Sequence, residues 1–179
     1  VAAPVQLELG HIGFTRIALD YRNDAEPMNA RIRLGSLETA ADSIDLGNLR
    51  IRLKNISLSN TEAAVRFWHP SPTLPGKEKL NPATIARAGS WAFDIATLTV
   101  DHTRLQYDDD NNKSITKGID YNHLDVNHLN IQAGELHADP ENYTGNIKDI
   151  TLDEKSGLVL KKLSVQAVYS EKSAALKNL

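Results

Sequence analysis

The chain contains no cysteine, which removes a disulfide framework, a thiol nucleophile and a Cys-ligated zinc site together. Aromatic residues make up only 6% of it and are not clustered, so there is no platform on which bases or sugar rings would stack. Neither sign of charge dominates. Twenty Lys and Arg stand against 23 Asp and Glu, for a net charge of -3, too little to gather a phosphate backbone, and we expect no nucleic-acid partner. No apolar run approaches the roughly 18 residues of a membrane-spanning helix, and no charged-then-apolar leader opens the chain. A G-x-S-x-G elbow, a phosphate-cradling glycine loop and a dinucleotide fingerprint are all missing. The expectation is a protein with no catalytic residue, no enzymatic activity and no cofactor.

What remains is aliphatic. Hydrophobic residues form 41% of the 179 positions, mostly Leu, Ile, Val and Ala, enough for one domain with a core or for part of something larger. The start at Val1 and the stop at "ALKNL" in mid-pattern suggest a piece of a longer chain.

The aliphatic residues repeat. In "LELGHIGFTRIALDY" the apolar positions are Leu7, Leu9, Ile12, Phe14, Ile17, Leu19 and Tyr21. In "FDIATLTVDHTRLQY" they are Phe93, Ile95, Leu98, Val100, Leu105 and Tyr107, at a constant offset of 86. Further on, Ile56 and Leu58 correspond to Ile150 and Leu152 at an offset of 94, the slip being absorbed in a loop. This is an internal duplication. We divide the chain into a β repeat at 1–67, a proline-rich connector at 68–90 and a second β repeat at 91–179. Related units appear in "LDVNHLNI" and "LVLKKLSV". The Ile, Val, Thr and Tyr content and the short spacing between turn signals favour strands over helices.

The two-residue gap inside each unit matters. Regular alternation would send the pair beyond the gap to the opposite face of a strand, whereas a one-residue bulge returns it to the same side and bends the strand. The fold class expected is therefore all-β, a curved and bulged antiparallel sheet with one apolar concave face. That face would be lined by Leu7, Leu9, Ile12, Phe14, Phe93, Ile95, Leu98, Val100, Leu124, Val126, Leu129, Ile131, Leu158, Leu160, Leu163 and Val165. The connector holds four of the seven prolines and cannot be a central strand. Within it "NPATIARAG" reads as a short helix, capped by Asn81 and stopped by Gly89.

Two stretches invite a metal reading. "DDDNNKS" begins like a calcium loop at Asp108, but its sixth place is Lys113 and its twelfth is Ile119, where Gly and Glu are required. "NHLDVNHLN" brings His123, Asp125 and His128 close in sequence without an obvious convergent geometry. Both read as solvated turn or strand surface, and no metal is expected. The apolar face itself has two readings: a closed sandwich core, or an open groove for an acyl chain or another apolar guest.

The phrases "GIDYNHLDVNHLNI" and "DEKSGLVLKKLSV" resemble the β repeats of the TamB-like, AsmA-related envelope proteins of Gram-negative bacteria. The resemblance covers residues 91–179 and, more weakly, 7–67. It implies a periplasmic β-taco trough in a parent anchored in the inner membrane, with roles in phospholipid movement and in assembly or secretion of outer-membrane proteins. Its partners would be lipid acyl chains and, through other parts of the parent, an outer-membrane barrel protein. The alternative from another class is a β-sandwich adhesin or carbohydrate-binding module with a site on loop 108–114. A third is a surface that templates strands of a barrel precursor by edge pairing.

Overall fold

The computed structural model describes residues 6–7, 10–25, 27–69, 91–170 and 173–177. These form strands and no helix. In chain order they are β1 (Gln6–Leu7), β2 (His11–Asn23), β3 (Met28–Asp45), β4 (Arg50–Ser59), β5 (Glu62–Phe67), β6 (Ala92–Asp109), β7 (His123–Ala138), β8 (Asn142–Glu154), β9 (Val159–Ser170) and β10 (Ser173–Lys177). All ten hydrogen-bond into one sheet. β1 and β2 lie end to end along one side of β3, and β4 and β5 lie end to end along its other side. β6 follows them, and β7 to β10 are added in turn as antiparallel neighbours.

The expectation of an antiparallel sheet needs one correction. β6 runs parallel to both β4 and β5, so the sheet is mixed. Phe67 lies beside Asp109 and Arg50 beside Ala92. The chain therefore leaves at one end of β6 and re-enters at the other, which parallel neighbours require and a tight turn cannot provide. β5 and β6 are joined in the sequence by residues 68–91, which include the proline-rich connector and of which 70–90 lie outside the described residues. The short helix expected at "NPATIARAG" lies outside the described residues.

Left-handed residues fall in or beside the gaps in the sequence, although the β2–β3 register runs through its gap without a bulge. Arg16, in the gap between Phe14 and Ile17, has φ of 54°, and His102, 86 positions later, has φ of 46°. Asn60 and His128 are left-handed too, both at 49°. Pairing sets these residues side by side. Thr15 faces Ser36 and Ile17 faces Leu34, leaving Gly35 opposite Arg16; the Asn60 amide donates to the Asp101 carbonyl; and the β6–β7 register shifts around Thr103. One crease thus crosses the sheet from β2 to β7. Around His102 and His128 the ladders slip by one place, so side chains three apart stay on one side, while β2 and β3 keep their register through Arg16. Gly35 has to be glycine here, because a Cβ would overlap the carbonyl oxygens of Ser59 and Asn60. A second irregularity sits at Glu135, φ 53°, beside the gap between Ile95 and Leu98.

Candidate apolar surface

Cross-strand pairing assembles the aliphatic residues into rows. The longest runs Phe14, Leu37, Leu58, Val100, Ile131, Ile150 and Leu163, seven apolar side chains on seven successive strands. Beside it run Ile12, Thr39, Ile56, Leu98, Ala133, Ile147 and Val165. Further toward one end come Ala41, Leu53, Ile95 and Leu136, then Ile44, Ile51, Phe93, Ala138, Tyr143 and Tyr169. The two tyrosine rings lie 5.8 Å apart, within the range of favourable aromatic contact. Toward the other end, Leu19, Ile32, Ala63, Leu105 and Val126 align. Of the expected residues, Leu124 falls opposite Tyr107 and Leu160 opposite Leu152.

Three expected residues stand apart. Leu7 is described only as backbone, opposite Ile44, and Leu9 lies outside the described residues. Leu158 precedes β9; its carbonyl accepts from the Glu154 amide at 2.8 Å and it is 43% exposed. It belongs to the turn and not to the apolar rows. The reason is local: "KSG" at 155–157 makes the turn, with Gly157 at φ 96°, and the strand starts after it.

The crease also contains residues that periodicity passed over. Thr61 and Thr103 are buried at the crease, Thr103 being only 2% exposed. Each hydroxyl donates to the carbonyl two residues back, Thr61 to Ser59 at 3.1 Å and Thr103 to Asp101 at 3.3 Å, and so each spans a left-handed residue. A hydroxyl satisfied this way can sit among aliphatic neighbours. β3 supplies no residue of the expected face, although Leu34 and Leu37 straddle "GS" with the same two-residue gap.

No second layer of described residues covers these rows. Among the described residues only Ala41, Leu129, Ala133 and Val165 are buried apolar residues, while Phe14, Ile17, Leu19, Tyr21, Phe93, Leu105, Tyr143 and Tyr169 are exposed. A sandwich needs two facing sheets, and the described strands make one. Near the β5 end the face holds a hollow of about 400 Å³ walled by Ile32, Val65, Leu105, Tyr107, Leu124 and Val126, with Ala30 and Ala63 leaving room at its floor.

The opposite face is charged and paired. Arg104 grips Asp125 with two hydrogen bonds, 2.9 and 2.7 Å, and holds its carboxyl below the usual carboxylate range. Asp94 accepts from Arg50 at 2.6 Å and meets His137 Nδ1 at 2.7 Å, and both bonds lower its pKa. His137 also reaches Asp139 at 2.9 Å. Those two carboxylates, Asp139 before Asp94, raise the histidine. Asp139 is itself lowered to about 2 by His137 and by the amides of Glu141 and Asn142.

The residues considered for metal are spread among other partners. Asp109 accepts from Asn111 and Asn112 at 2.7 Å each, and Asp110 is bound by Arg66 at 2.7 Å. His123 lies 3.2 Å from Asp120, Asp125 belongs to Arg104, and His128 bonds Asp153 at 2.9 Å. Among the described residues no group of three or more His, Asp or Glu is placed to hold a metal ion. No protein-family model, no curated protein and no solved structure matches this chain, so its function is to be argued from this two-faced sheet.

Proposed function

We propose that the chain is a non-enzymatic β-trough segment of a TamB-like, AsmA-related periplasmic protein, a passive apolar conduit for phospholipid acyl chains. Its parent would be anchored in the inner membrane and would support outer-membrane biogenesis, including the assembly and secretion of outer-membrane proteins. The observation that carries this reading is the uncovered seven-residue row from Phe14 to Leu163. An acyl chain lying against such rows would leave water at about 0.8 kcal/mol per buried methylene. Its headgroup would stay wet at the open side. The bulges supply the bend that would turn a flat apolar face into a trough. No covalent step is involved, and the charged face keeps the outer surface soluble.

A photoreactive residue at Leu105, on the wall of the hollow, tests this against one at Glu62, exposed on the charged face beside Arg104. After irradiation with phospholipid vesicles, lipid adducts are expected at 105 and not at 62. A Leu105→Asp variant should lose bound lipid in native mass spectra while melting close to the parent, because Leu105 is already 41% exposed. Equal labelling at both positions, or no lipid retained by the unaltered chain, would count against the conduit.

A further inference from the structure

The two repeat segments that match at an offset of 86 differ in one respect. β6 has a strand on each side, whereas β2 is paired only with β3 among the described residues. We propose that the outer edge of β2 is a docking edge for one more strand, added parallel, and that its occupant is a segment with the pattern of β4 and β5. This does not depend on what the apolar face carries.

The junction inside the chain supplies the template. β6 takes β4 and β5 in parallel, with Ile56 beside Leu98, Leu58 beside Val100, Ala63 beside Leu105 and Val65 beside Tyr107. The counterparts of those β6 residues are Ile12, Phe14, Leu19 and Tyr21, and the last three are exposed. The apolar rows stop at these side chains, at the place where the equivalent rows continue.

The backbone corresponds as well. Arg104 donates to the Thr61 carbonyl at 2.8 Å, Asp110 donates to Phe67 at 2.9 Å, and Asp101 accepts from Asn60 at 3.1 Å. The equivalents are Ala18, Asp24 and Thr15. With Arg16 left-handed as His102 is, the free edge has the same local shape. The amides of Ala18, Asp20 and Arg22 then point away from β3. Among the described residues no second strand lies along β2 from His11 to Arg22, and such an edge is a template for another strand unless it is occupied or blunted.

A synthetic peptide copying residues 48–67, added to the 179-residue chain, is the probe. Amide exchange at Ala18, Asp20 and Arg22 is expected to slow at least tenfold. A spin label on the peptide's C-terminus should broaden the resonances of Tyr21 to Asn23, as a parallel strand demands. Ala18→Pro removes the outward donor while leaving the β3 ladder intact, so it should abolish the slowing at an unchanged melting temperature. The proposal is overturned if exchange is unaffected in the unaltered chain, if the label instead broadens His11 to Phe14, or if protection appears only at β10. Protection of the β2 edge without peptide, through self-association, overturns the assignment of the occupant. Should Ala18→Pro fail to fold, the exchange profile and label position of the unaltered chain decide the matter.

Discussion

β2 and β6 carry nearly the same apolar pattern and the same left-handed residue, yet their side chains differ in burial. Phe14 is 44% exposed, while its counterpart Val100 is half-buried between Leu58 and Ile131. Ile17 is exposed, while its counterpart Thr103 is almost fully enclosed. The difference does not lie in either strand. In a single-layered sheet a side chain is covered where both row mates are large, as at Val100; Leu105, beside Ala63, stays 41% exposed inside the sheet, and an edge strand with an interior sequence stays open on one flank.

The comparison is broken most severely at the crease. Gly35→Ala forces a Cβ against the backbone of Ser59 and Asn60, which cannot yield as a flexible side chain would. A loss of about 3 kcal/mol is expected, at the upper end for overpacking, measured by urea unfolding. Gly13→Ala, in the same sheet but with nothing closer than His11 at 3.7 Å, should change little. Equal effects at the two glycines would mean that the creased strands are not packed as described. Next comes an Asp at matched positions. Val100→Asp places a carboxylate between two aliphatic row mates and should cost about 2 kcal/mol or more, whereas Phe14→Asp at the open flank should cost under about 1 kcal/mol.

Arg16 and His102 test whether the two strands share their geometry. Both hold a left-handed backbone that costs a residue with a side chain about 1 kcal/mol, and glycine relieves it. Glycine also adds about 0.4–1 kcal/mol of unfolded-state entropy, so Arg16→Gly and His102→Gly should each be neutral or stabilise by up to about 0.6 kcal/mol, where the same change at a residue of ordinary extended backbone would destabilise. His102 gives up only an exposed pair with Asp101, which contributes little. Destabilisation at one site alone would break the correspondence on which the docking edge rests.

Part of this was legible because side chains three apart, such as Phe14 and Ile17 or Val100 and Thr103, stay on one face only where the strand departs from regular alternation, and a left-handed residue stands in both places. The same rule gave most of the apolar surface. It failed at β3, where Arg31, Arg33 and Glu38 dilute the pattern and Leu34 and Leu37 do not stand out. It failed at Thr61 and Thr103 because a threonine's fitness for an apolar row depends on a carbonyl two residues back, which becomes visible only when the bulge is built. It could not give the parallel neighbour of β6, since strand order is a long-range property and no residue in β6 names its partner. Leu158 was misplaced because an apolar residue beside a turn looks the same as one inside a strand.

The smallest expected effect separates the charged faces of the two halves. Across the offset of 94, the counterpart of His137 is Ser43, so only the second half carries a titrating centre at this position. His137 is raised by Asp139 and Asp94. A group raised on folding contributes its full stabilisation below its unfolded value, near 6.5, and loses it as pH rises through the higher folded value. The unfolding midpoint should therefore drift down through that alkaline window. At the acid end the sign reverses. Asp94 and Asp139 are lowered, so their stabilisation is present above about 4 and is lost as pH falls toward the value of about 2 held by Asp139. His137→Asn removes the charge that both carboxylates face and should flatten the alkaline drift. Arg50 and Arg52 still face Asp94 in that variant, so part of the acid limb should survive. A drift of the same size in His137→Asn would place the titrating group elsewhere on the sheet.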